Sequence, residues 1–427
     1  MNYLEGHIVN KSFEILRKYP LCNRCLGRLF ARYGLGMSNI VRGKAIKVLL
    51  LMELHRLISN DVKNLNLLNE VGLNINMMPQ LINKYLGNVQ SRKCYICLDR
   101  LEDIIVELIN KVIDELSRFK VKTFVISVLK NSEMEKKELE IISEFKLDSW
   151  ESIRREIKRE LGKKVKTLLG LEPEFKHPDV VVMVDLDRLD VKTVITPKYI
   201  LCRYLKLGRN ISQVKWFTSD GVRKYPLAIE DVVEPLKNLF NAEDIKLHAA
   251  GREDVDARML GSGRQLIVEL KNAKNKVVSE DEVLKVLSNT GLILILFDKF
   301  VESVYVREIK LKNMLKVYRL LILSEKPLTT DLLRSLEREF TNKVINQRTP
   351  TRVLRRKKDI VRFRRVYSVK SRLINEYLFE ILVKCDDGLY VKELVHGDRG
   401  RTSPSFSELL GCDLRVLELD VIDVANN

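Results

Sequence analysis

Apolar residues along this chain follow two periods, and the periods divide it into helices and strands. Residues 9–18 read as a helix that stops at Pro20, and residues 40–58 as a second helix, basic at its start with Arg42, Lys44 and Lys47. Ile104, Leu108, Val112 and Leu116, with Ile105 and Ile109 beside them, mark one face of an amphipathic helix. A further helix over 149–169 is crowded with Arg154, Arg155, Lys158, Arg159, Lys163, Lys164 and Lys166. β-rich runs at 121–128, 180–184 and 191–195 alternate with these helices, which predicts an α/β or α+β unit.

Beyond about residue 226 strands dominate. They are read at 245–250, 265–270, 291–297, 304–311, 315–323, 360–369 and 414–424. One helix follows the capping box Ser279-Glu280-Asp281-Glu282, and another spans 329–344. Residues 198–225 carry aromatic and basic side chains in a stretch that suits either RNA contact or a domain bridge. The expected organisation is three units, at 1–100, 101–215 and 216–427, in an α+β chain.

Charge narrows the partners. Lys and Arg total 75 against 58 for Asp and Glu, a net +17, and the excess is one-sided rather than the joint rise in Lys and Glu of a heat-adapted surface. A clustered positive excess marks nucleic acid first. The start of the chain has no signal-peptide pattern, and the longest apolar run has the length of a strand, so neither export nor a membrane partner is expected. Seven cysteines argue against a disulfide framework and for a cytoplasmic location. A monomer is the default expectation.

Four of those cysteines form two Cys-x-x-Cys knuckles, Cys22/Cys25 and Cys94/Cys97. Each knuckle offers two thiolates on a tight turn, so a structural zinc is expected, although the gap between them is wider than in a compact zinc ribbon. Reduced or redox-active thiols are the other reading. The densest positive block runs through 346–365, with Arg348, Arg352, Arg355, Arg356 and Lys357 placed to grip a nucleic-acid backbone from a loop. No glycine-rich nucleotide loop, His-Glu-x-x-His or nucleophile elbow is found, which weakens nucleotide-cofactor chemistry and metallohydrolysis. That leaves the stretch 251–264, rich in glycine, arginine and carboxylate between two strands. It is either a tight charged hairpin or a functional loop on a rigid scaffold.

Gly251-Arg252-Glu253-Asp254 resembles the Gly-Arg-x-Asp motif of pseudouridine synthases. Its extension to Arg264 is similar to the archaeal and eukaryotic tRNA pseudouridine synthases of the Pus-ten family. Arg203-Tyr204-x-Lys206, Asn346-Gln347-Arg348-Thr349-Pro350-x-Arg352 and Gly400-Arg401-Thr402 also resemble that family's segments. The resemblance implies a largely antiparallel catalytic domain behind a zinc-bearing, THUMP-like accessory region. It implies that tRNA is isomerised in the T arm, at position 54, 55 or both, without a cofactor. Asp254 would be the catalytic aspartate, with Asp256 its rival, thought to bond Arg258. Tyr318 would stack on the target base, Tyr390, Val391 and Leu419 would wall the pocket, and Lys392 or Arg252 would supply the cation beside the aspartate. The sequence departs from the pattern where Arg264-Gln265-Leu266 replaces Arg-Pro-Phe. A non-catalytic RNA-binding protein, or a methyltransferase with a THUMP module, are the competing functions.

Overall fold

The computed structural model describes residues 7–75, 80–87, 90–287, 291–311, 314–355 and 357–426. The chain forms two compact units, Met1–Ile195 and Thr196–Asn427.

In the first unit, α1 (His7–Lys18), α2 (Asn23–Leu29) and α3 (Asn39–Asn60) precede α4 (Leu101–Leu116). Next come β1 (Thr123–Val128), α5 (Glu133–Glu144), α6 (Ile153–Leu169), β2 (Val180–Asp185) and β3 (Asp190–Ile195). β1 and β2 pair in parallel, and β3 runs antiparallel to β2. Ser152 caps α6 by accepting from the Arg155 N–H, so the helix starts later than the apolar pattern alone indicates. One continuous buried core extends from Val9 to Val191.

The second unit is built on a ten-stranded mixed sheet. Its strands include β4 (Lys198–Lys206), β5 (Asp244–Ala249), β6 (Arg258–Lys271), β7 (Ile293–Val301) and β8 (Met314–Ser324). Helix α7 (Thr330–Phe340) precedes β9 (Lys343–Arg348), β10 (Val361–Asn375) and β11 (Leu378–Cys385). The short helix α8 (Val391–His396), β12 (Thr402–Ser403) and β13 (Leu414–Asn426) follow. The order is β7-β4-β6-β13-β8-β11-β10-β9-β12, with β5 on β6. Only β6 and β13 run parallel among these pairs, at Arg258 with Asp420 and Met259 with Val421.

Three expectations are corrected. Residues 198–206 are a strand paired on both sides inside the sheet, so the aromatic stretch opens the second unit and is no bridge. Tyr305–Leu311 is a helix, because Tyr305, Val306 and Ile309 recur on one face and pack together under the sheet. The helix assigned to 329–344 ends at Phe340; Asn342, at φ +57°, turns the chain into β9. Among the described residues, no helix is long and apolar enough to cross a membrane.

Candidate active site

The glycine-rich stretch is shorter as a loop than its composition implies. β5 and β6 pair antiparallel, and only residues 250–257 lie between them. Gly261 and Gly263 belong to β6, both at positive φ. Tyr204 opposes Arg264 and Lys206 opposes Met259, so residues 260–263 bulge opposite Leu205. A Cβ on Gly261 would sit 2.1 Å from the Ile422 main-chain oxygen. These glycines let strands approach each other; they do not cradle a ligand.

The loop itself is pinned from beneath by Glu253, whose side chain is 3% exposed. Its carboxylate accepts from Tyr204 Oη at 2.8 Å and Arg264 Nε at 3.0 Å, and it pairs with Lys206 Nζ at 3.3 Å. Lys206 also donates to the main-chain oxygens of Asp254 at 3.0 Å, Val255 at 3.3 Å and Ile211 at 3.2 Å. Arg264 donates to Ala250 O at 2.8 Å. Burial works against the Glu253 charge, but Arg264 and Lys206 outweigh it and hold the carboxyl below its ordinary range. Two buried cations thus share one carboxylate and spend their remaining donors on the backbone around Asp254.

Asp254 itself is about one-third exposed and faces two cations. Arg352 Nη2 lies 3.3 Å and Lys392 Nζ 3.4 Å from its carboxylate. Arg352 is anchored by Glu393, 2.7 Å away and only 2% exposed. Desolvation opposes the Arg352 charge, but Glu393 and Asp254 more than compensate and raise its pKa. Lys392 also bonds Asp256 at 2.7 Å, and this pairing overcomes partial burial to hold that carboxyl low. The expected Asp256–Arg258 bond is absent. Arg258 pairs instead with the fully buried Asp420 at 2.7 Å, because the parallel β6–β13 register sets the two opposite each other. Arg252 is exposed, and among the described residues nothing bonds its guanidinium, so Lys392 and Arg352 stand beside Asp254 and Arg252 does not.

The other expected residues sort by depth. Tyr318, partly buried, packs against the core on both sides of the sheet, and burial pushes its phenol up, with Asp254 among the charges acting the same way. Val391 and Leu419 share one buried cluster with Ala257 at the loop's end. Tyr390 is fixed through its backbone: Gln347 Nε2 donates to Tyr390 O at 3.0 Å, and Tyr390 N donates to Gln347 Oε1 at 2.8 Å. Its ring carries Lys357 at 5.5 Å and Arg362 at 5.7 Å, and its hydroxyl accepts from Lys357 Nζ at 3.1 Å. Arg348 is exposed and pairs with Asp359, Arg355 is exposed, and Arg356 lies outside the described residues. Glu253, Arg264 and Glu393 were not singled out by sequence reasoning, and Arg352 was assigned to RNA contact alone. A lysine or arginine on an otherwise apolar strand face, at the end of β4 for Lys206 and within β6 for Arg264, was the available signal.

In the first unit the sulfurs of Cys22, Cys25, Cys94 and Cys97 all lie within 4.8 Å of one another. Cys25 N–H donates to Cys22 Sγ, and Arg28 places Nη2 3.7 Å from Cys25 Sγ. Tyr95 N–H bonds Pro20 O at 2.7 Å and draws the distant knuckles together. Four clustered, mostly buried sulfurs with N–H···S support fit a tetrahedral thiolate-bound metal.

The sequence matches the family description "Pus10, C-terminal" over residues 199–425 and "Pus10 THUMP domain, archaeal" over 108–185. A relative from Ignisphaera aggregans named tRNA pseudouridine synthase Pus10 is 40% identical over 98% of this chain and 99% of its own. Relatives of the same name from Thermosphaera aggregans and Aeropyrum pernix are 40% and 37% identical. They match over 97% and 98% of this chain, and 96% and 98% of their own. A solved Cbf5-Nop10-Gar1 complex aligns at 19% identity and TM-score 0.30 over 53% of this chain and 48% of that one, too slight a likeness to argue from. The α+β fold and these matches define a pseudouridine synthase with a THUMP domain. More narrowly, the chain belongs to the Pus10 family.

Proposed function

We propose that this protein isomerises uridine to pseudouridine in the T arm of tRNA, at position 54, 55 or both, with Asp254 as the catalytic carboxylate. The observation that carries this is a carboxylate held between two cations on a backbone pinned from below, yet open on one side. The N1–C1′ bond of the uridine breaks, the base turns, a C5–C1′ bond forms, and the C5 hydrogen is exchanged for one on N1. The product is an isomer and no cofactor is consumed. Asp254 engages the nucleoside during cleavage; Lys392 and Arg352 pair with its carboxylate and orient it. Tyr318 stacks on the base, Tyr390, Val391 and Leu419 wall the pocket, and Arg348, Arg355, Arg356 and Lys357 contact the RNA backbone. A base extruded from its stack needs a partly apolar pocket to receive it. Cys22, Cys25, Cys94 and Cys97 would hold a structural zinc, which supplies folding energy to the first unit and no step of the reaction. The reading is of a cytoplasmic protein, supported by seven free cysteines, six of them buried, and of a monomer by default.

The test is pseudouridine formation on an unmodified tRNA transcript without cofactor, mapped by position. Wild type and Asp256→Asn should form product and Asp254→Asn none. Product from Asp254→Asn at the wild-type rate would exclude the assignment, and loss of product only in Asp256→Asn would transfer the role to Asp256.

A further inference from the structure

The loop joining α2 and α3, residues 31–38, lies outside both matched family stretches and belongs to the first unit, whereas Asp254 belongs to the second. It is held with unusual care for an exposed turn. The two helices pack glycine to glycine: a Cβ on Gly27 would meet Asn39 O at 1.9 Å, and one on Gly43 would meet Asn23 O at 1.8 Å. From α3, the buried Arg42 turns its guanidinium onto the loop's own carbonyls. It donates to Tyr33 O at 2.6 Å, Met37 O at 2.9 Å and Gly34 O at 3.4 Å. Among the described residues no carboxylate pairs with Arg42, so a buried charge is committed to shaping a surface turn.

What this framework holds up is apolar. Leu35 is fully exposed, and Met37 and Tyr33 are 48% and 41% exposed. A rigid, exposed apolar cluster marks a contact surface. Beside it lies a cavity of about 750 Å³, lined also by Trp150, Arg32, Arg155, Arg159 and Lys163 and by two carboxylates, Glu151 and Glu160, that pair with Arg159 and Lys163. Arg159 is paired with Glu151, whereas Arg32 and Arg155 have no carboxylate partner among the described residues. Apolar side chains next to free guanidinium groups are the combination that slips between bases while gripping phosphates. An apolar protein partner would have no use for the unpaired arginines, and the chain's excess of +17 favours a polyanion.

We propose that the 31–38 loop is a second RNA-contacting element, a wedge. Leu35 and Met37 pack against an unstacked base of the bound RNA, and Arg32 and Arg155 hold the flanking phosphates. This rests on the reading above that the substrate is an RNA.

The experiment measures the affinity of the full-length chain for unmodified tRNA across a salt series. The variants are Leu35→Ser/Met37→Ser, Arg32→Ala/Arg155→Ala, and, as a control, Leu168→Ser, an exposed apolar residue near the far end of α6. The apolar pair should weaken binding on the order of tenfold, as loss of a base-stacking contact does. The arginine pair should flatten the slope of log K against log salt by about 1.5, the value for two lost phosphate contacts. The control should bind as wild type does. Wild-type affinity and slope in both double variants would overturn the wedge, as would a change in self-association with RNA binding intact. Wild-type protein that binds no tRNA would overturn the substrate reading along with it, so the two failures are distinguishable.

Discussion

The ammonium of Lys206 lies 3.0 Å from the main-chain oxygen of Asp254, so the aspartate is positioned through its own peptide by a cation that is 1% exposed. Lys206 is a positioning residue in this arrangement. Lys206→Met should leave Arg264 to neutralise Glu253 but release the backbone of 254 and 255. A displacement of about 1 Å costs on the order of a hundredfold in rate. Single-turnover rates should therefore fall by about ten- to a hundredfold while the dissociation constant for tRNA stays at the wild-type value. A parallel loss of affinity, or no loss of rate, would show that the loop is held without this lysine.

Glu253 gives a pH signature. Its carboxyl is depressed in the folded protein, with burial opposing and Arg264 and Lys206 prevailing. A group with a depressed folded value contributes stability above its unfolded pKa, about 4.3 for Glu, and that contribution is lost as pH falls through the folded value. Glu253→Gln should thus melt below wild type at pH 7, and the gap should close as both proteins are taken below about pH 4. A gap independent of pH would mean that Glu253 acts through packing alone.

Arg352 and Lys392 both touch Asp254 but should separate in stability. Removing Arg352, itself 41% exposed, leaves Glu393, 2% exposed, without its partner, and a buried acceptor left unsatisfied costs about 1–3 kcal/mol. Lys392 leaves behind only Asp254 and Asp256, 34% and 59% exposed, a loss of about 1 kcal/mol or less. Arg352→Met and Lys392→Met should both lower the rate of pseudouridine formation, and only the first should shift the denaturant midpoint strongly. Equal midpoints would sink the anchoring role of Glu393.

The cysteine cluster yields a metal prediction. Metal analysis of the full chain should find about one zinc per molecule, and Cys22→Ser with Cys94→Ser should lose it and melt at a lower temperature, since thiolate-bound zinc contributes directly to folding. Undiminished metal content in the double variant would remove the assignment.

Much of this was legible in the chain because it is written in local periods. The spacing of Ile104, Leu108, Val112 and Leu116 reports which face of the helix is buried, and the structure buries that face; the unbroken apolar run 180–184 reports a strand but not which of its faces is buried. Gly251-Arg252-Glu253-Asp254 marked the loop because unlike charges beside glycine are poor core material. The partners of that loop were not legible. Arg352 is 98 residues from Asp254, and Arg258 and Asp420 are 162 apart; strand pairing brings them together. Arg258 looked available to Asp256 because the parallel β6–β13 register, which commits it to Asp420, leaves no trace in either strand's own sequence. The burial of Glu253 was not legible either, since burial of a carboxylate is decided by the cations folded around it.

The bulge at 260–263 supplies the last prediction. Gly261 sits at φ +64°, where an L side chain is strained by roughly 1–3 kcal/mol, and a Cβ there would also press to 2.1 Å from Ile422 O. That neighbour is backbone on β13, the strand that pairs with β6 and β8 and carries Leu419, so it has little room to yield. Gly251 has a similar φ of +83°, but its Cβ would meet only side-chain tips, Arg264 Nη1 at 3.2 Å and Lys316 Nζ at 3.6 Å. Gly261→Ala should therefore lower the denaturant midpoint well beyond the strain shared by both sites, whereas Gly251→Ala should show little more than that strain. The rate effects should run the other way relative to stability. Gly251→Ala crowds the guanidinium that bonds Ala250 O and Glu253, and so disturbs the Asp254 loop in a protein that is still folded. Urea titrations and single-turnover rates on the two variants measure this directly. If Gly261→Ala were as stable as Gly251→Ala, β13 would be free to move away from the bulge, and the glycine would be needed for its φ alone.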